Sequence, residues 1–314
     1  MLNNTRIESG LELLRNEGIV SAALAAWRYG VLWSSIAPLL RRPLPKTHQE
    51  KLIASADGRL GYWPRIRNPR SFNEKILHRK LFTDDDRYVT VQDKWAVRDY
   101  VEERVGSKVL TDVYHVTDDP ETIPFSDLPD RFVVKATHGS GMIHIVEDTS
   151  DLDTGELKAR CREWLSRTYG KSMNEYYYAD IPPRILVEEY LHDENYGIPL
   201  DFKFLVFHGS VEYIDVHFDR FGDHVYRLFD RDWTPLDVRW GGESRLDPKI
   251  GRPELFEEMI DVAETLGAEF DFIRVDLYQP NADRIAFGEL TVTPAAGWDG
   301  FEPQAFDFEL GSYW

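Results

Sequence analysis

A lysine that ends an apolar run and is followed by two glycines has the makings of a phosphate site. In Arg131–Met142, residues Phe132, Val133 and Val134 read as a buried strand that ends at Lys135, because Phe and Val pack well on a pleated sheet. Gly139 and Gly141 let the main chain approach a ligand closely. The N–H groups of such a turn can point at phosphate, with Lys135 beside them as a point charge. The stretch is therefore a candidate nucleoside triphosphate site, and a plain hairpin turn is the alternative. No G-x-x-x-x-G-K-[ST] pattern occurs, which excludes a Walker-type loop.

A second group of residues points to metal chemistry. Arg274, Asp276 and Tyr278 share a face of one predicted strand, and Phe287, Glu289 and Thr291 share a face of the next, because side chains alternate along a strand. A turn centred on Ala282-Asp283 sets Asp276 opposite Glu289. Two like charges directly opposed destabilise a hairpin. A divalent cation between them would make the pair a site, and Mg²⁺ suits it because it takes carboxylates together with substrate phosphates. Two exposed carboxylates, or an ordinary ion pair with Arg274, are the alternatives.

Three further segments carry suitable groups. Glu188-Glu189-Tyr190-Leu191 ends an apolar strand, and a strand-to-loop hinge can offer backbone groups to an adenine edge. Asp201 and Lys203 share a strand face, placed to meet ribose hydroxyls and phosphate oxygens, or simply each other. Lys94 reads as a surface lysine on a helix. His138 is a candidate loop donor to phosphate, with a structural role as the alternative. No Ser–His–Asp or Cys–His order suggests a covalent nucleophile.

The elements that must position these groups are mixed. Helices are expected at 6–16, 19–40, 91–105, 151–169 and 253–266. Ser71 and Glu74 have the spacing of a capping box. Strands are expected at 113–118, 132–136, 144–147 and 185–190, with hairpins at 202–218 and 272–292. Several hairpins among helices indicate an α+β fold rather than a doubly wound sheet. With 42% apolar and 13% aromatic residues, the chain is globular, not disordered. A net charge of −18 argues against nucleic acid as the main partner, yet an ATP site needs only a few local cations. Cys161 is the sole cysteine, which rules out an intrachain disulfide and a thiolate metal cage and fits a cytoplasmic location. The apolar stretch 19–40, with Trp27, Tyr29 and Trp33, is expected to pack on the body. Its alternative is a helix lying at the inner face of the membrane.

Taken in order, seven blocks resemble the ATP-grasp superfamily, and more narrowly its TupA-like (teichuronopeptide biosynthesis) family. They begin at Pro69, Asp93, Val133, Glu188, Asp201, Arg274 and Phe287. The resemblance implies two α+β subdomains clasping ATP. It gives a helical extension at 1–60, the first part of the grasp region at 61–130, a lid-like part at 131–192, and a part with the metal site at 193–314. Lys94 and Lys135 are implied to hold phosphates, under a loop of His138, Gly139, Ser140, Gly141 and Met142. Glu188, Glu189, Tyr190 and Leu191 are implied to hold adenine, and Asp201 the ribose. Asp276 and Glu289 are implied to carry Mg²⁺, with Thr291 where many relatives have asparagine. That change weakens a second metal position. Lys203 and Arg274 are implied to stabilise charge during catalysis. The activity implied is ATP-dependent joining of a carboxylate to an amine through an acyl phosphate, on a surface polysaccharide or peptide carboxyl. A phosphotransferase, a glycosyltransferase of surface polysaccharide synthesis and a membrane-bound scaffold are the alternatives.

Overall fold

Apolar alternation builds two antiparallel sheets. The computed structural model describes residues 60–218, 225–241 and 250–314; the expected helices at 6–16 and 19–40 lie outside these residues. The helices are α1 (Phe72–Phe82), α2 (Arg87–Gln92), α3 (Val97–Val105), α4 (Thr154–Ser166), α5 (Phe256–Gly267) and α6 (Ala305–Tyr313).

The smaller sheet comprises β1 (Val113–Thr117), β2 (Phe132–Ala136), β3 (Ile143–Val146) and β4 (Ile185–Glu189), in the order β1-β4-β2-β3. Phe132, Val134, Ile185 and Val187 meet Leu157, Cys161 and Trp164 of α4 on one face. The alternate residues Val133 and Lys135 therefore face the other way, into a cavity. Cys161 is buried, and burial pushes its thiol up to about 11, so it is no nucleophile.

The larger sheet comprises β5 (Asp201–Phe207), β6 (Ser210–Phe218), β7 (Val225–Asp230), β9 (Phe272–Asn281) and β10 (Arg284–Thr291), in the order β10-β9-β5-β6-β7. A short strand, β8 (Arg239–Trp240), pairs elsewhere with β11 (Phe301–Glu302). Every residue of β5 is buried. Phe202, Phe204 and Val206 pack with Phe256, Met259 and Leu266 of α5. On the opposite face, Leu205 and Phe207 pack under Phe72 and Ile76 of α1 and Phe306 and Leu310 of α6. Burying each such side chain stabilises by about 1.5–3 kcal/mol. The same face continues as Asp201 and Lys203, where buried charges need partners. This change from apolar to charged along one strand face sets where the core stops and a site can begin.

The structure agrees with the α+β expectation and with the capping box. Ser71 Oγ accepts from Glu74 N at 3.2 Å, and Glu74 Oε2 accepts from Ser71 N at 3.2 Å. It differs at 91–105. There the single expected helix is broken into α2 and α3, because Asp93 Oδ1 accepts from Trp95 N at 2.9 Å and so competes with the helical backbone pattern. The expected helix at 151–169 is shorter. It is capped by Asp153, whose Oδ1 accepts from Glu156 N at 2.9 Å, and it ends at Ser166. Among the described residues, no helix is long and apolar enough to cross a membrane.

Candidate functional site

A cavity of about 410 Å³ lies between the two sheets. Its floor is set by strand register. Glu289, Asp276, Lys203 and Asp215 are successive partners across β10, β9, β5 and β6. One step along, Tyr278, Asp201 and His217 form a second row. Asp276 does sit opposite Glu289, as expected, because a register shift between Arg284 and Ala286 is undone by a second one between Phe287 and Glu289. A bulge at Gly288 shifts the register between Phe287 and Glu289. Phe287 consequently pairs with Leu277, whose face carries the apolar core, so Phe287 and Glu289 do not share a face as expected. A Cβ at Gly288 would lie 2.7 Å from Tyr278 Cε2 and 3.0 Å from Asp276 O; the bulge needs glycine for want of space.

Four cations gather around this floor. The break between α2 and α3 turns Lys94 inward rather than to the surface, and its Nζ donates to Gly139 O at 2.5 Å. Burial lowers its pKa, while Glu289 opposes that shift. Lys135, at the end of β2, pairs with Glu188 Oε1. Lys203 Nζ donates to Asp201 Oδ2 at 2.5 Å and to Asp276 Oδ2 at 2.7 Å. Arg274 Nε and Nη2 donate to Asp276 at 2.7 Å each, and Nη2 also reaches Glu289 Oε1 at 2.9 Å. Burial disfavours the charge on Arg274, but Asp276 and Glu289 outweigh it and raise its pKa. Burial and Asp276 push the Glu289 carboxyl up, yet Arg274, Lys94 and Lys203 hold it below the usual value. The ion pair of Arg274 with both carboxylates was one of the alternatives for this hairpin.

The glycine turn forms the roof: Gly139, Ser140, Gly141 and Met142 all line the cavity. Gly141 has φ +73°, and a Cβ at Gly139 would meet Met142 and Tyr169 at 2.6 Å, so each glycine is required for a separate reason. His138 is placed differently from a phosphate donor. Its side chain is buried, with Nε2 3.1 Å from Trp164 O of α4, and it does not line the cavity. Burial lowers its pKa.

Glu188, Glu189, Tyr190 and Leu191 line the other end. The side chain of Glu188 is paired with its neighbours. Besides Lys135 it accepts from Thr111 Oγ1 at 2.9 Å, and Thr111 Oγ1 in turn accepts from Arg98 Nη1 at 3.2 Å. Glu189 is clamped by Arg284 through two bonds of 2.6 and 2.7 Å. The apolar Leu191 lies at this end with Ile198 and Pro199 beside it. Asp201 lines this end, whereas Asp276, Lys203 and Arg274 lie behind the lining formed by Glu289 and Asp201.

Thr111, Asp215 and His217 were missed from sequence. The hairpin through His208-Gly209 sets Asp215 beside Lys203 and His217 beside Asp201 only because its register shifts between Leu205 and Val206; counting across the turn puts Ile214 and Val216 there instead.

Asp276 and Glu289, with Thr291 Oγ1 3.3 Å from Glu289 Oε1, are all hard oxygen donors, the kind Mg²⁺ takes. Among the described residues no group of three or more His, Cys, Asp or Glu is arranged to hold a metal. A cation here would draw its remaining ligands from phosphate oxygens and water.

No protein of curated function matches the chain by sequence. Solved structures resemble it distantly. D-alanine–D-alanine ligase from Bacillus anthracis, complexed with ATP, is 15% identical with a TM-score of 0.39, over 64% of this chain and 55% of that one. An ADP complex of purK, N5-carboxyaminoimidazole ribonucleotide synthetase, is 13% identical with a TM-score of 0.40, over 64% and 45%. L-amino acid ligase from Bacillus licheniformis is 12% identical with a TM-score of 0.40, over 71% and 46%. The chain thus spans about half the length of these proteins. The family profile described as TupA-like ATP-grasp matches residues 74–314; that span holds both sheets and the whole cavity lining, and the chain belongs to this family.

Proposed function

We propose that this ATP-grasp enzyme is an ATP-dependent carboxylate–amine ligase whose nucleotide lies in the cavity between the sheets. The observation that carries this reading is the convergence of Lys94, Lys135 and the glycine turn above Glu289 in one cavity. Adenine would lie at the 188–191 hinge and the ribose at Asp201. Lys94 and Lys135 would neutralise phosphate oxygens, and Arg274 and Lys203 would hold the charge that builds up behind Glu289. Mg²⁺, when bound, would be held by Glu289, Asp276 and Thr291 and would neutralise negative charge on the triphosphate.

The chemistry requires no protein nucleophile. An acceptor carboxylate oxygen attacks the γ-phosphorus and the bond to ADP breaks, giving an acyl phosphate. An amine nitrogen then attacks the acyl carbon, the C–O bond to phosphate breaks, and the amine loses a proton. The chain's part is positioning and charge stabilisation. A surface polysaccharide or peptide carboxyl is the acceptor we favour, and use of ATP beside a buried thiol fits a cytoplasmic enzyme.

The test is an ADP-release screen over uronic acids and amino acids, with mass spectrometry of the product. Lys135→Ala and Glu289→Ala are expected to abolish substrate-dependent ADP release while leaving the fold intact. Near-normal turnover in both variants would sink the reading.

A further inference from the structure

The loop that leads into α1 has no part in the cavity. Glu74 is buried, and its carboxylate holds this loop. Oε1 accepts from Arg65 N and Oε2 from Arg70 N, at 2.7 Å each. Between them His78 Nδ1 donates to Ile66 O at 2.8 Å, so residues 65–70 lie along α1. The side chains of Arg65, Arg67 and Arg70 are left outside, and all three residues are exposed. Arg67 lies over the Phe82 ring and Arg70 over Phe308 of α6, 5.4 and 5.3 Å from the centroids, which steadies both side chains. Two residues before Arg65, Trp63 is 64% exposed. None of these residues lines the cavity between the sheets.

Charge sets this loop apart from the rest of the chain. Net charge is −18, yet no acid occurs between Asp57 and Glu74. Residues 41–70 hold eight Arg or Lys against two acids. This basic stretch follows directly on the apolar stretch 19–40, with its Trp27, Tyr29 and Trp33. An apolar segment and a polybasic one in series are the two signals that stable attachment to an anionic bilayer requires. The acidic remainder does not forbid contact, because at physiological salt a charge beyond about 8 Å is largely screened. An exposed tryptophan suits the headgroup layer, where one part of the ring is apolar and the other wet. An anionic saccharide would meet the same arginines, but it gives no reason for the apolar stretch beside them.

We propose that residues 63–70 form a docking surface for an anionic phospholipid bilayer, with Arg65, Arg67 and Arg70 on lipid phosphates and Trp63 in the headgroup layer. The experiment is sedimentation of the full chain with vesicles, either of phosphatidylcholine alone or of about three parts phosphatidylcholine to one part phosphatidylglycerol. Wild type is expected to bind the mixed vesicles at least about tenfold more tightly than the neutral ones, and to lose that preference at high salt. Replacing all three arginines by Gln should weaken binding to mixed vesicles about a hundredfold. That variant keeps the loop, because backbone N–H groups make the bonds to Glu74. Replacing them by Lys should keep binding within about threefold, since both carry the charge that lipid phosphates attract. Failure of wild type to bind mixed vesicles overturns the proposal. Equal binding by wild type and the Gln variant overturns it too, and leaves the attachment to another segment. Arginine-dependent binding of soluble polyglucuronate, with vesicles ignored, would give the loop to a glycan instead.

Discussion

Lys94 Nζ and the carbonyl oxygen of Gly139 are 2.5 Å apart, so the lysine that faces the cavity also ties down the turn that roofs it. Phosphate would compete for the same ammonium group. Lys94→Met should speed amide exchange across 138–142 in the free protein and weaken nucleotide binding, each by about tenfold or more. Exchange-mass spectrometry and calorimetry read the two effects. Because burial lowers the Lys94 pKa, wild-type affinity should also fall as pH rises, and earlier than an ordinary lysine would allow. Unchanged exchange in the variant would show that the tether does not hold the turn.

Glu188 orients Lys135, and Thr111 orients Glu188. Glu188→Gln keeps the shape and removes the charge. It should raise the KM for ATP about tenfold with a smaller effect on kcat, and Thr111→Val should do the same more weakly. An equal loss in both kinetic constants, or none, would count against an orienting role.

Much of the candidate site was legible in the sequence because local patterns encode it. The strand ending at Lys135 and the two glycines follow from alternation and turn chemistry, and the opposed Asp276 and Glu289 survive because two register shifts in their hairpin cancel. Other features depend on contacts between distant segments. Lys94 points inward only because Asp93 breaks the helix. The Gly288 bulge changes which face Phe287 takes, and alternation alone cannot register an inserted residue. The partners of Glu188 come from segments far away in sequence, Thr111 just before β1 and Lys135 on β2. His138, in a glycine-rich loop, is drawn to α4 by the Trp164 carbonyl.

Lys80 gives a stability test independent of nucleotide. It is buried, its Nζ donates to Ala296 O at 2.6 Å, and burial pushes its pKa down to about 8 despite Glu175 nearby. An unfolded lysine titrates at about 10.4, so between these values the unfolded chain holds the extra proton. Stability therefore rises with pH across that window, and the penalty is fully present below about 8. Lys80→Met should remove this slope, on the order of 3 kcal/mol in total, in denaturant titrations from neutral to alkaline pH. Parallel curves for the two proteins would contradict the assignment.

The most direct measurement follows oxygen from the acceptor. With ¹⁸O in the carboxylate identified by the ADP-release screen, and an amine present, ligation through an acyl phosphate should move one ¹⁸O into inorganic phosphate for each amide formed. Phosphate free of label, or phosphate retained on the acceptor, would contradict the ligase account.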